Sequence, residues 1–125
     1  MCPEGALLEN LADRLGPWAV SGPARAVTAA ALADTAWQAA ARAQLAADSQ
    51  RLAALLDQHG LGGGAGTALF QWRPRPDAAR IHSQLAQQGI LTRLFDTPPG
   101  LRFGLPGNAT EWARLAAALI CLRTL

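Results

Sequence analysis

PPGLRFGLPG, residues 98–107, carries a single permanent cation, Arg102, inside an otherwise apolar and glycine-rich run. Proline and glycine bracket it on both sides, so its centre, 101–105, reads as a short strand. Strand side chains alternate between two faces. Leu101, Phe103 and Leu105 then share the face that belongs against helices, and Arg102 and Gly104 share the other. Gly104 removes side-chain bulk beside the guanidinium, which leaves room for a ligand to reach the arginine fork. A guanidinium matches a carboxylate or a phosphate with two parallel hydrogen bonds. On the residues alone, Arg102 is either such an anion site or a solvated surface charge.

Upstream, ILTRLF (90–95) reads as another strand and DTPPG as a turn longer than the tight two-residue type. If the two strands form a hairpin, Arg93 lies near Arg102. TALFQW (67–72) is β-branched and aromatic with a period of two, which predicts a further strand. Between these, Asp77 can cap a helix through Gln87 or Gln88 with Ala78, Ile81 and Leu85 turned inward, and Gly89 stops it. Downstream, PGN precedes a helix over 109–122, with Trp112, Leu115, Leu119 and Leu122 at helical spacing.

The N-terminal half is helical. Leu7, Leu8, Leu11 and Leu15 give residues 4–15 an apolar face, with Glu9 and Asp13 elsewhere and Gly16 and Pro17 as the stop. Trp18 and Val20 offer an apolar contact point in the following loop, Ser21 or Gly22 can cap the next helix, and Pro23 fits its first turn. From 24 to 59 the pattern is helical almost throughout, a rod of roughly 54 Å if unbroken. A bend or a junction is expected near Asp48 and Ser49. Gly60 ends it, and GLGGGAG is a flexible linker. The element order predicts an α+β fold: a small, mostly antiparallel sheet with helices packed on one face, preceded by a long helix.

Half of the 125 residues are hydrophobic, and eleven basic against nine acidic side chains leave a net charge of +2. The charges are balanced and scattered, which argues against a nucleic-acid partner. No stretch reads as a signal peptide or a membrane span, so a soluble, cytoplasmic protein is the expectation. Every basic residue is arginine, so no lysine amine is available for Schiff-base or general-base chemistry. Cys2 and Cys121 stand at opposite ends and read as reduced thiols. His59 and His82 lack neighbours at metal-ligand spacing; the first reads as part of a helix C-terminus and the second sits in the helix expected over 77–88. Ser21 lacks the strand–turn–helix setting of a nucleophile and reads as a cap. GLGGGAG lacks the GK[ST] of a phosphate loop.

Six blocks, LGPWAVSGPARAV, ALADTAWQAA, TALFQW, LAQQGILTRLFD, LRFGLPGN and EWARLAAAL, come in this order. Together they resemble the C-terminal part of the threonine-phosphate decarboxylases of cobalamin biosynthesis. Those are relatives of histidinol-phosphate aminotransferase within the fold-type-I enzymes that use pyridoxal 5'-phosphate (PLP). The resemblance implies an α/β PLP-dependent transferase-like enzyme, of which residues 1–125 are the small C-terminal domain with its leading inter-domain helix. It implies a large domain, absent here, that holds PLP on a lysine, and a homodimeric complete enzyme. It implies that Arg102 grips the α-carboxylate of the substrate, L-threonine O-3-phosphate, which the enzyme converts to (R)-1-amino-2-propanol phosphate and carbon dioxide.

The sequence departs from that family in having no lysine and nothing matching the large domain. The expectation is therefore a fragment with no catalytic or cofactor-binding residue of its own, inactive by itself, whose large domain is supplied as a separate chain or not at all. Two alternatives stand beside this reading. One is a fragment of a histidinol-phosphate-type aminotransferase. The other is a non-catalytic interaction module that docks another polypeptide through its exposed sheet face and first helix.

Overall fold

The computed structural model describes residues 5–122. Its elements are α1 (Gly5–Leu15), α2 (Gly22–Ala33), α3 (Thr35–Gln58), β1 (Ala65–Gly66), β2 (Phe70–Pro74), α4 (Ala78–Gln87), β3 (Arg93–Asp96), β4 (Pro99–Gly104) and α5 (Ala109–Leu122). This is a small α+β arrangement, with one wholly antiparallel sheet ordered β1-β2-β4-β3. The chain divides into two units, Met1–Gln38 and Ala39–Leu125.

The second unit owns the core. Leu52 and Leu56 of α3, Ala78, Ile81 and Leu85 of α4, Leu101 and Phe103 of β4, and Trp112, Leu115, Ala118 and Leu119 of α5 are all buried, with Leu61 beside them. Burying each large side chain contributes about 1.5–3 kcal/mol. Leu101 and Phe103 point into this core, as strand alternation predicts, and the inward residues of α4 and α5 are those that helical spacing selects. Two helices end in the same way. Gly60 (φ 77°) and Gly89 (φ 72°) adopt the left-handed conformation. Past them, the N–H groups of Leu61 and Ile90 reach back to the carbonyls of Leu56 and Leu85, each at 2.9 Å. Both pairs are apolar, which is the usual companion of this C-terminal motif.

Several boundaries differ from expectation, each for a local reason. The long helical run breaks at Asp34 and not near Asp48 and Ser49. Asp34 Oδ1 accepts the Trp37 N–H at 2.9 Å, and Gln38 Nε2 donates to the carbonyls of Ala31 and Leu32, so the junction satisfies both helix ends. Ser49 instead lies buried within α3, where its hydroxyl donates to the Thr67 carbonyl. The strand expected over 67–72 begins at Phe70. Thr67 closes a turn first: its N–H meets the Phe70 carbonyl, and its hydroxyl accepts from the N–H groups of Leu69 and Phe70. The end of the glycine-rich linker, Ala65–Gly66, pairs with β2 as an edge strand.

The strand expected over 90–95 starts at Arg93, because Ile90 is used by the helix terminus and the Thr92 hydroxyl lies 2.9 Å from His82 Nδ1. The strand expected over 101–105 runs from Pro99 to Gly104. Pairing of Asp96 with Pro99 leaves a two-residue loop, Thr97–Pro98 with a cis peptide, so the hairpin is tighter than expected. Asp77 stands at the helix start, but its carboxylate bonds Arg75 and Arg80 and caps no backbone N–H. Ser21 does cap α2, accepting from the Ala24 N–H. Trp18 and Val20, expected to make a contact, are exposed. Residue 4, given to the first helix, and Cys2 lie outside the described residues.

Candidate functional site

β4 is an interior strand, with β2 on one side and β3 on the other. Its register places Arg102 opposite Trp72 on β2 and opposite Arg93 on β3. Paired residues of an antiparallel ladder share a face, so Trp72, Arg102 and Arg93 form one row across the sheet. The core residues Leu101 and Phe103 lie on the other face. The row of Phe70 and Gly104 and the row of Gly100 and Phe95 flank it on the same side. The face turned away from the core thus gathers two guanidiniums and three aromatic rings.

The rings are divided between two tasks. Trp72 stands edge-on to Phe95, with centroids 5.1 Å apart and planes at 87°. A Cβ at Gly100 would collide with the indole, so that glycine is what lets Trp72 lie flat across β4. Phe70 is left to Arg102, whose guanidinium carbon sits 4.2 Å above the ring centroid. Arg93 lies 5.4 Å over Phe95. Opposite Phe70 stands Gly104, where an added Cβ would meet nothing within 4 Å. The room expected beside Arg102 is therefore present. Ala65, Gly66, Thr67, Phe70, Trp72 and Arg102 line a shallow cleft of about 330 Å³.

Like charges placed directly opposite on a sheet repel. Arg73 pairs with Asp57, and Arg75 and Arg80 pair with Asp77, whereas neither Arg93 nor Arg102 pairs with a carboxylate among the described residues. Arg102 is partly buried, lies over the Phe70 ring, and makes no hydrogen bond to an acceptor among the described residues. This arrangement can take an anion, and its five N–H groups favour one with two coplanar oxygens.

β2 also buries polar side chains that sequence periodicity did not single out. Gln71 and Arg73 turn toward the helices, while Phe70 and Trp72 turn away. Gln71 Nε2 donates to the Ser49 hydroxyl at 2.8 Å and to its carbonyl at 3.2 Å. Arg73 is only 2% exposed and donates to the carbonyls of Trp72 and Ala53 and to Asp57 Oδ1. Its Nε is buried without a partner among the described residues. These groups tie β2 to α3. The alternation FQWR was the available signal, but period two alone does not say which half faces inward.

The other candidates stand away from this face. His82 bridges α4 to Thr92, and His59 is the last residue before the Gly60 turn. Cys121 is exposed. Among the described residues, no group of three or more His, Cys, Asp or Glu side chains is placed to hold a metal, and no helix is long and apolar enough to cross a membrane.

No protein-family model matches the chain. It is 50% identical over 117 residues to a threonine-phosphate decarboxylase of Pseudomonas aeruginosa, a match covering 94% of this chain and 35% of that protein. It is 44% identical over 117 residues to a threonine-phosphate decarboxylase of a Sinorhizobium species, covering 90% of this chain and 34% of the relative. The resemblance carried by the sequence blocks holds, and the chain spans about a third of the length of the relatives it matches.

Proposed function

We propose that this chain is the substrate-carboxylate-binding, C-terminal part of a PLP-dependent L-threonine O-3-phosphate decarboxylase, built on the fold-type-I plan and making (R)-1-amino-2-propanol phosphate for cobalamin biosynthesis. The observation that carries the reading is Arg102: an arginine resting over the Phe70 ring with no hydrogen-bond acceptor and no carboxylate partner among the described residues, beside an open cleft. The names of the two relatives give the reaction class. In this role Arg102 orients the substrate by its carboxylate and holds it by charge-assisted hydrogen bonds.

PLP chemistry needs a lysine amine to hold the cofactor, and the 125 residues contain none. The residues present do not fit the cofactor, so no step of the reaction is assigned to this chain beyond binding and orienting substrate. The remaining two-thirds of a relative-sized polypeptide would carry the cofactor, and the complete enzyme would be a cytoplasmic homodimer.

A hybrid tests this reading. Residues 5–122 replace the matching third of the Pseudomonas relative, which the 50% identity makes structurally compatible. The hybrid is expected to bind PLP and to release carbon dioxide from L-threonine O-3-phosphate. Arg102→Gln in it should raise KM by about 30-fold or more, since losing one partner of a charged hydrogen-bonded pair costs about 2–5 kcal/mol. A folded hybrid that transaminates without releasing carbon dioxide would favour the aminotransferase alternative. An active one indifferent to Arg102→Gln would remove that residue from the site.

A further inference from the structure

Arg102 stands opposite Trp72 in the ladder, yet its guanidinium lies over Phe70, two residues away along β2. The reason lies in what each aromatic already does. Trp72 is held by the Phe95 edge and by the backbone of Gly100. Phe70 pairs with Gly104, which has no side chain to cover the ring, and Phe70 is itself 38% exposed. A large apolar side chain left in this position contributes little to the core. Its ring is the surface on which the arginine rests.

We infer that Phe70 is a positioning residue for the anion site: its ring holds the Arg102 guanidinium in one orientation before the carboxylate arrives. This rests on the carboxylate reading of Arg102. A free arginine side chain is rich in rotamers, and fixing them on binding opposes affinity. Stacking on an aromatic face restricts those rotamers in advance. The ring takes up one side of the guanidinium, and no acceptor among the described residues occupies its N–H groups, which are the groups that a carboxylate needs. Gly104 keeps the opposite position clear, so the ring is a platform and not a lid.

The test uses the whole chain, labelled with ¹³C and ¹⁵N, and L-threonine O-3-phosphate as the probe. In the unaltered chain the Cδ and Nε protons of Arg102 should be shifted upfield by the ring beneath them. Phe70→Leu should abolish that shift and leave the Trp72–Phe95 signals in place, which reports that the sheet is intact. It should weaken probe binding, read from the Arg102 Nε–H signal, by about 3- to 10-fold, the range set by a cation–π contact at a partly exposed site. Phe70→Tyr should restore both shift and affinity. In the hybrid enzyme, Phe70→Leu should raise KM and leave kcat unchanged.

An unshifted Arg102 in the unaltered chain would overturn the proposal. So would Phe70→Leu binding the probe as well as the unaltered chain. If Arg102 is ring-shifted but its signals ignore the probe, the carboxylate reading fails, and the platform role falls with it while the stacking geometry stands.

Discussion

Arg102 and Arg73 show how two arginines in one small sheet acquire opposite roles. Arg102 was expected on a strand, while Arg73 follows the strand expected over 67–72 and is found inside β2. Arg102 faces away from the core and keeps its donors free, whereas Arg73 is buried and donates to Ala53, Trp72 and Asp57. Asp57 Oδ1 stands 3.3 Å from Arg73 Nη2, but its side chain is 55% exposed, so solvent screens the pair. Asp57→Asn should therefore destabilise the fold by about 1 kcal/mol in urea unfolding, well short of the cost for a fully enclosed pair. Asp77 gives a pH prediction. The side-chain hydrogen bond from Arg75, with further help from Arg80, holds its carboxyl below the ordinary value of 3.8, against the opposing effect of desolvation. A depressed folded pKa stabilises above the unfolded value and is lost as pH falls through the folded one. The stability difference between the protein and Asp77→Asn should thus be constant near neutrality and shrink below about pH 4, measured as urea midpoints. The outward direction of Arg102 was legible because Leu101 and Phe103 mark the core side. The platform under it was not, because nothing in FQWR tells which pair of alternating residues is buried.

At the scale of elements, helix interiors were easier to read than strand limits. Ile81 and Leu85, and Trp112, Leu115 and Leu119, fall on the faces that a 3.6-residue period assigns. Boundaries depend on single polar contacts that spacing does not encode. Asp34, Thr67 and Thr92 each end or delay an element by one or two side-chain hydrogen bonds. The Asp48–Ser49 pair resembles a helix break as a dipeptide, yet Ser49 has its partner in Thr67, distant in sequence and supplied only by the fold. Glycine signals were more dependable, since Gly60 and Gly89 both carry the positive φ that other residues resist. Gly89→Ala should keep the fold and lower stability by about 1 kcal/mol or more in urea unfolding, through backbone strain at the end of α4. Leu101→Ala, which empties a fully buried position in β4, should cost about 2–5 kcal/mol by the same measurement.

Across the whole molecule, apolar surface is distributed unevenly between the two units. Among the described residues, every buried core residue belongs to Ala39–Leu125, while no helix residue of α1 or α2 is buried. Leu7, Leu8, Leu11 and Leu15 remain exposed on α1, Trp18 is 89% exposed, and Val27 and Leu32 are exposed on α2. Isolated helices of this length are marginal without tertiary burial. The similarity to the Pseudomonas decarboxylase covers 94% of the chain, so it takes in most of this first unit. The amphipathic pattern of α1 was readable in sequence, but what meets it was not, because helical spacing marks an apolar face and carries no mark of the surface that would cover it. In the chain alone, Leu11→Glu combined with Trp18→Glu should leave the urea midpoint of the second unit unchanged, and amides of 5–33 should exchange quickly with solvent in either form. In the hybrid with the rest of the Pseudomonas relative, the same pair of substitutions should lower the melting temperature by several degrees and reduce decarboxylation, since burying unpaired carboxylates is strongly unfavourable. Equal tolerance in both settings would mean that the exposed leucines and Trp18 dock against nothing.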